Sequence, residues 1–225
     1  MTKPIEHEPI FQDRQEAGQA LAQRLRSYRD GKRLLILALS PGGAVVGAEV
    51  AKSLGAPMEL FRSRRLPVPG NPALSFGSMT EEGTICLLSE IISRYEIPDE
   101  EIQEAISSKR KEILQRRHQF RKMSMGFNIQ GRKVILIDEG VSNGTALFSA
   151  LDWLRLEGAD ARIVAIPVAG RQNISRMKAS MDEVVVLHTI PSYRSIKSCY
   201  QQFDPVPEAA VRTLLEEVNR GLKAA

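Results

Sequence analysis

Two short stretches carry residue types in arrangements that chemistry can use. In VILIDEGVSNGTAL, residues 134–147, Asp138 and Glu139 end an apolar run, and Gly140, Val141, Ser142, Asn143, Gly144 and Thr145 lead into an amphipathic segment. A strand that turns through small residues into a helix aims backbone N–H groups and the positive helix end at one volume, which suits a phosphate. Adjacent carboxylates are poor phosphate ligands but good acceptors for sugar hydroxyls, and they attract Mg²⁺ directly or through water. Phosphate and vicinal diol together describe a ribose phosphate; a capped helix start with two solvated acids is the competing reading. The second stretch is Ser40, Pro41, Gly42 and Gly43, another strand-to-helix turn. Its glycines allow close backbone approach, as a second anion seat or as ordinary turn punctuation.

The elements that must position these loops alternate along the chain. Asp13 and Glu16 have capping-box-like spacing ahead of Ala17, Leu21 and Leu25, which predicts an opening amphipathic helix ending near Gly31. Residues 33–40 and 133–138 are short apolar runs, as strands buried on both faces should be, and 44–57 and 145–158 read as the helices that follow them. A strand starts at Met58, and ALSFGSM and TICLLSE flank EEG as arms of a hairpin. Residues 98–122 predict one long helix, ARIVAIPVAG and DEVVVLHTIP two further strands, and VPEAAVRTLLEEVNRGL a closing helix. Apolar strands alternating with helices imply an α/β fold with a mostly parallel sheet covered on both faces, whose ligands gather at strand carboxyl ends. At 225 residues, 43% hydrophobic and without repeats, one domain over 1–225 is expected.

Composition narrows the function classes. A net charge of +4 and a pI near 9.2 favour anionic ligands mildly. Cys86 and Cys199 lack CxxC spacing and His7, His118 and His188 are scattered, so free thiols are expected, with no zinc site. The N-terminus has charges where a signal peptide needs an apolar core, and no apolar run approaches the ~18 residues of a membrane span, so a cytoplasmic location and no membrane partner are expected. The basic run 107–122, with Lys109, Arg110, Lys111, Arg116, Arg117, Arg121 and Lys122, is read as a solvated helix face before a nucleic-acid site, because only Phe120 and Phe127 stand near it.

The DEGVSNGTA element resembles the phosphoribosyl-pyrophosphate (PRPP) loop of type I phosphoribosyltransferases. FQDRQEAGQALAQRL, LALSPGGAVVGAEVAKSLGAP, RRLPVPGNPALSFGSM, ARIVAIPVAG and YRSIKSCYQQFDPV extend the resemblance, most closely to bacterial predicted phosphoribosyltransferases, over nearly the whole chain. It implies the type I phosphoribosyltransferase fold with a small hood built from terminal segments. It implies that Asp138 and Glu139 hold the ribose 2′ and 3′ hydroxyls and serve Mg²⁺, and that residues 140–145 wrap the 5′-phosphate. It further implies that Ser40–Gly43 form the pyrophosphate loop. The activity implied is transfer of the phosphoribosyl group to an unknown, nitrogenous acceptor with release of pyrophosphate. A homodimer is common among similar proteins.

Three departures from the family pattern support an alternative, a catalytically weak or inactive relative that senses PRPP or a nucleotide. Ser40 and Pro41 stand where Pro-Arg is usual, which removes a cation and an N–H; a cis Ser40–Pro41 bond would preserve the strained shape common in that loop. Asn143 and Ala146 replace two threonines, with a loss on the order of 1.5–3 kcal/mol if one charged contact goes. Ala73 replaces a frequent Glu. Ser142 stands where purine-salvage members carry an Asp, which argues against 6-oxopurine acceptors. Arg64 and Arg65 match an Arg-Lys pair and either approach the pyrophosphate or end a solvated strand. Trp153, Leu151 and Leu154 are read as helix packing, and Tyr193, Tyr200 and Phe203 as core or interface packing ahead of an acceptor pocket.

Overall fold

The computed structural model describes residues 8–80, 83–120, 128–141, 145–191 and 195–220. Within them a parallel sheet is built from β1 (Leu34–Ala38), β2 (Met58–Leu60), β6 (Lys133–Ile137), β7 (Ala161–Gly170) and β8 (Glu183–Ile190), in the order β2-β1-β6-β7-β8. Successive side chains of a strand point to opposite faces, so strands covered on both sides need apolar residues at every position. β1 meets that requirement throughout, and β6 and β7 meet it from Val134 and Ile163 onward. Leu34, Ile36, Ala38, Ile135, Ile137, Ile163 and Ala165 enter one core with α2 (Pro41–Leu54) and α7 (Glu208–Asn219). Leu35, Leu37, Val134, Leu136, Val164 and Ile166 enter another with α5 (Thr145–Leu156) and Met177 of α6 (Arg171–Ser180).

Asp13 caps α1 (Arg14–Arg24), its Oδ1 accepting from the Gln15 and Glu16 N–H groups at 2.8 and 2.9 Å. The companion Glu16 accepts from the Gln12 N–H, one residue before the cap. α2 starts earlier than the sequence reading placed it, because Ser40 caps it and Pro41 takes the first helical position, where a missing N–H costs nothing. It ends at Gly55, whose φ of 66° lets the chain turn left-handed.

The stretch from Met58 splits into two strands of different sheets. β2 ends at Leu60, and β3 (Ser63–Val68) joins β4 (Asn71–Thr80) and β5 (Ile85–Leu87) in a separate antiparallel sheet. The β4–β5 hairpin matches the sequence reading; the β3–β4 pairing, turned at Gly70 with φ 71°, was not anticipated. That sheet has its own core, in which Leu66, Val68, Phe76 and Met79 meet Ile97 and, from α4 (Asp99–Phe120), Ile102, Ile106 and Ile113. α3 (Ser89–Arg94) and α6 also escaped the sequence reading. Separately, the two ends of the chain meet: Phe11 bridges to Tyr200, and the Ile10 and Phe11 N–H groups both donate to the Cys199 carbonyl. Among the described residues no helix is long and apolar enough to cross a membrane, and Cys86 and Cys199 are buried thiols that form no disulfide.

Candidate functional site

β1 and β6 are in-register parallel neighbours, so the loops leaving their carboxyl ends lie side by side. This brings Ser40–Gly43 against Asp138 and Glu139. Ser40 Oγ donates to Asp138 Oδ1 at 2.5 Å and accepts from the Gly43 N–H at 2.9 Å. Asp138 Oδ1 also accepts from the Glu139 N–H at 2.9 Å. Burial of its carboxyl pushes the Asp138 pKa up to about 6; the Ser40 and Glu139 N–H bonds oppose the rise and the Glu139 charge adds to it.

A side chain at either glycine would crowd the acids. A Cβ at Gly42 would lie 1.8 Å from Glu139 Oε2, and one at Gly43 would lie 2.9 Å from Asp138 Oδ1. In the first turn of α2, Pro41 has no N–H, Gly43 donates to Ser40 Oγ and Ala44 to the Ser40 carbonyl. Gly42 is the remaining amide, without a partner among the described residues.

Glu139 is held from the far end of the sequence. Arg14 Nε donates to Glu139 Oε2, its Nη1 donates to the Asp204 carbonyl at 3.0 Å, and its guanidinium lies 3.9 Å from the Phe203 ring centroid. Tyr200 donates its hydroxyl to the Glu139 carbonyl at 2.5 Å, and burial beside the Glu139 charge raises its pKa. Beyond the acids, the Val141 N–H donates to the Val168 carbonyl at 3.0 Å and the Val141 carbonyl accepts from the Gly170 N–H at 3.2 Å, which pins one end of the loop to β7. The other end re-enters at Thr145, the first residue of α5. Ser142, Asn143 and Gly144 lie outside the described residues.

The family model for the phosphoribosyl transferase domain matches residues 8–204. The chain belongs to the phosphoribosyltransferase family. Two Mycobacterium tuberculosis proteins, from strains CDC 1551 and H37Rv, carry the provisional name phosphoribosyl transferase and are each 32% identical to it over 217 residues, 96% of this chain and 48% of theirs. The chain thus spans about half the length of these curated relatives. The crystal structure of TT1426 from Thermus thermophilus is 31% identical, superposes with a TM-score of 0.78, and is matched over 92% of this chain and 98% of its own.

In this member of the phosphoribosyltransferase family Asp138 and Glu139 lie against Ser40, Gly42 and Gly43, whereas Gly140 lies against Ile196 and Val141 is bound to β7. The Ser40–Pro41 bond is not cis, since no cis peptide occurs among the described residues; the extended Ser40 passes into a proline seated at a helix start, a place an ordinary trans bond reaches. Arg64 and Arg65 lie on β3 of the separate sheet, where Arg64 faces Glu112 of α4 at 3.9 Å and Arg65 is exposed. No described contact links either to the acidic pair. Tyr193 lies outside the described residues, and Trp153 packs on Phe61 with ring centroids 5.4 Å apart. The sequence reading gave Arg14 no role and treated Tyr200 and Phe203 as packing. The available signal was an arginine placed directly after a helix cap, at the helix end that disfavours cations.

Proposed function

We propose that the chain binds PRPP with Mg²⁺ and transfers its phosphoribosyl group to a nitrogenous acceptor. The C1–oxygen bond to pyrophosphate breaks, the acceptor nitrogen bonds to C1, and pyrophosphate leaves. The observation that carries this reading is the placement of Asp138 and Glu139 at the end of β6, directly against the glycines that open α2. The two acids would hold the ribose hydroxyls and residues 140–145 the 5′-phosphate. Their effect on rate would come from fixing C1 relative to the acceptor and from charge set in advance near a sugar that gains positive character.

The donor set is consistent with a shared rather than a self-contained Mg²⁺ site. Asp138 Oδ1 and Glu139 Oε2 are engaged within the protein. Asp138 Oδ2 and Glu139 Oε1 carry no hydrogen bond among the described residues, and no group of three or more potential metal ligands occurs there. Two oxygens are too few for an octahedral ion, so ligand oxygens and water would complete the shell. When bound, the ion offsets the charge of the leaving pyrophosphate.

One observation favours the second reading, a PRPP- or nucleotide-binding sensor of low activity. Ser40 takes the Gly43 amide and Pro41 has none, so the first turn of α2 offers fewer donors to pyrophosphate than a glycine-rich turn otherwise would. Calorimetry with PRPP, with and without Mg²⁺, tests binding; pyrophosphate release across a panel of nitrogenous bases and small amines tests transfer. Binding with release supports the enzyme, binding without release the sensor, and absence of binding overturns both.

A further inference from the structure

Arg14 is a buried cation in a costly place. It keeps 9% of its surface exposed and stands at the first position of α1, where the helix dipole repels positive charge and burial removes hydration. Local structure does not account for it, but its contacts do. One edge of the guanidinium reaches Glu139, another the Asp204 carbonyl, and its face covers Phe203. A planar fork can serve such partners at once, which a lysine ammonium cannot.

The partners belong to two parts of the chain that the site must keep in register. Glu139 is one of the two acids of the proposed sugar site, and residues 200–204 form the C-terminal segment laid beside it. Tyr200 adds a bond to the Glu139 carbonyl at 2.5 Å, and the Gln201 and Gln202 N–H groups donate to the Phe11 and Gln12 carbonyls, both at 2.9 Å. Arg14 lies two residues beyond Gln12. The Glu139 carboxylate is therefore both the group offered to a sugar diol and the anchor of the arginine that clasps the segment. Gly42 borders the same pair, since its Cβ would lie 2.8 Å from Arg14 Nε.

We infer that Arg14 is a positioning residue that couples seating of a sugar diol on Glu139 to tightening of the 200–204 segment beside it. The inference rests on the phosphoribosyl reading of Asp138 and Glu139. A diol that fixes Glu139 fixes Arg14, and a fixed Arg14 holds Phe203 and the Asp204 carbonyl. The segment, remote from the acids in sequence, thereby responds to their occupancy.

Hydrogen exchange of residues 199–204 with ribose 5-phosphate as the probe, beside calorimetry, tests this in the full chain. In the wild type the probe should slow exchange of the segment at least threefold. Arg14→Gln should lose that response and bind the probe about tenfold more weakly. Arg14→Lys, which keeps the charge but not the fork, should also lose the response. Phe203→Leu leaves the ion pair in place; it should bind within about twofold of wild type yet show less slowing, and it serves if Arg14→Gln fails to fold. If the wild type binds neither the probe nor PRPP, the reading of the site fails and this inference with it. If it binds but the segment does not respond, or responds equally in Arg14→Gln, Arg14→Lys or Phe203→Leu, the coupling alone is overturned.

Discussion

Ser40 and Asp138 are joined by a 2.5 Å hydrogen bond across the carboxyl ends of two neighbouring parallel strands, 98 residues apart in sequence. The same hydroxyl caps α2 through the Gly43 N–H at 2.9 Å. One side chain thus fixes both the start of a helix and the first acid of the site. Ser40→Ala removes both bonds and should destabilise the fold by about 1–2 kcal/mol, the usual cost of losing an N-cap. It should also move the Asp138 pKa above about 6, because the Ser40 bond is one of the influences holding it down. Ser40→Thr, which retains a hydroxyl, should recover most of both effects in urea titration and carboxyl NMR.

Gly42 and Gly43 should fail differently when a methyl is added. At Gly42 the nearest atom is Glu139 Oε2 at 1.8 Å, the end of a side chain that can retreat. At Gly43 the obstacles include the Asp138 Cα and the Ile137 carbonyl oxygen, each at 3.0 Å, and backbone in a buried strand cannot retreat. Gly42→Ala should break the Arg14–Glu139 contact and weaken ribose 5-phosphate binding, and it should cost about 2–4 kcal/mol, because leaving a buried arginine without its partner outweighs the roughly 1 kcal/mol of alanine's helix propensity. Gly43→Ala should cost about 1–3 kcal/mol, as overpacking does. Urea unfolding and calorimetry on both variants separate the two outcomes.

The parallel sheet was legible because its strands are buried on both faces, and unbroken apolar runs such as LLILA have few other structural uses. The second sheet was harder to read. β3 carries two arginines and a proline, and Leu66 and Val68 gain a core only from distant partners, β4 and the isoleucines of α4. α6 has one face of Asn173 and Met177 amid polar residues, too few apolar positions to show a period. At the site, Asp138 and Glu139 announced themselves by adjacency and by the small-residue loop that leads from them into α5. Arg14 did not, because its partners Glu139, Phe203 and Asp204 are more than a hundred residues away and local patterns carry no trace of them.

Asn219 closes the outer edge of the parallel sheet. Its Oδ1 accepts from the Met58 N–H at 2.9 Å, and its Nδ2 donates to the Met58 and Leu215 carbonyls, each at 2.8 Å. The side-chain amide therefore does for β2 what a further strand would do, leaving Met58 no open edge. Asn219→Leu would strand both backbone groups of Met58 in a buried place, where each unsatisfied group costs about 1–3 kcal/mol. The expected loss is about 2–4 kcal/mol by denaturant titration, with ribose 5-phosphate affinity unchanged, because Asn219 belongs to the α7 side of the sheet and touches no residue of the acidic pair. A variant that lost affinity while keeping stability would contradict this division between scaffold and site.

The raised pKa of Asp138 makes stability and binding depend on pH with opposite signs. Burial is the first cause of its rise from 3.8 to about 6. A carboxyl whose pKa is higher in the folded state is favoured there in its protonated form, so its contribution is fully present below 3.8 and is lost as pH climbs through about 6. Over that window folding should weaken by at most about 3 kcal/mol from this group. Hydroxyl binding by the ionised carboxylate should strengthen over the same window. Asp138→Asn keeps an acceptor for Ser40 without a charge to lose, so it should remove this group's downward slope of stability, measured by urea titration from pH 4 to 7. A phosphate monoester probe also titrates near pH ~6. Calorimetry of ribose 5-phosphate on wild type and Asp138→Asn separates the two sources: pH dependence that survives in the variant belongs to the phosphate, and the part that vanishes belongs to Asp138. Identical pH profiles for the two proteins would show that Asp138 does not change its charge on binding.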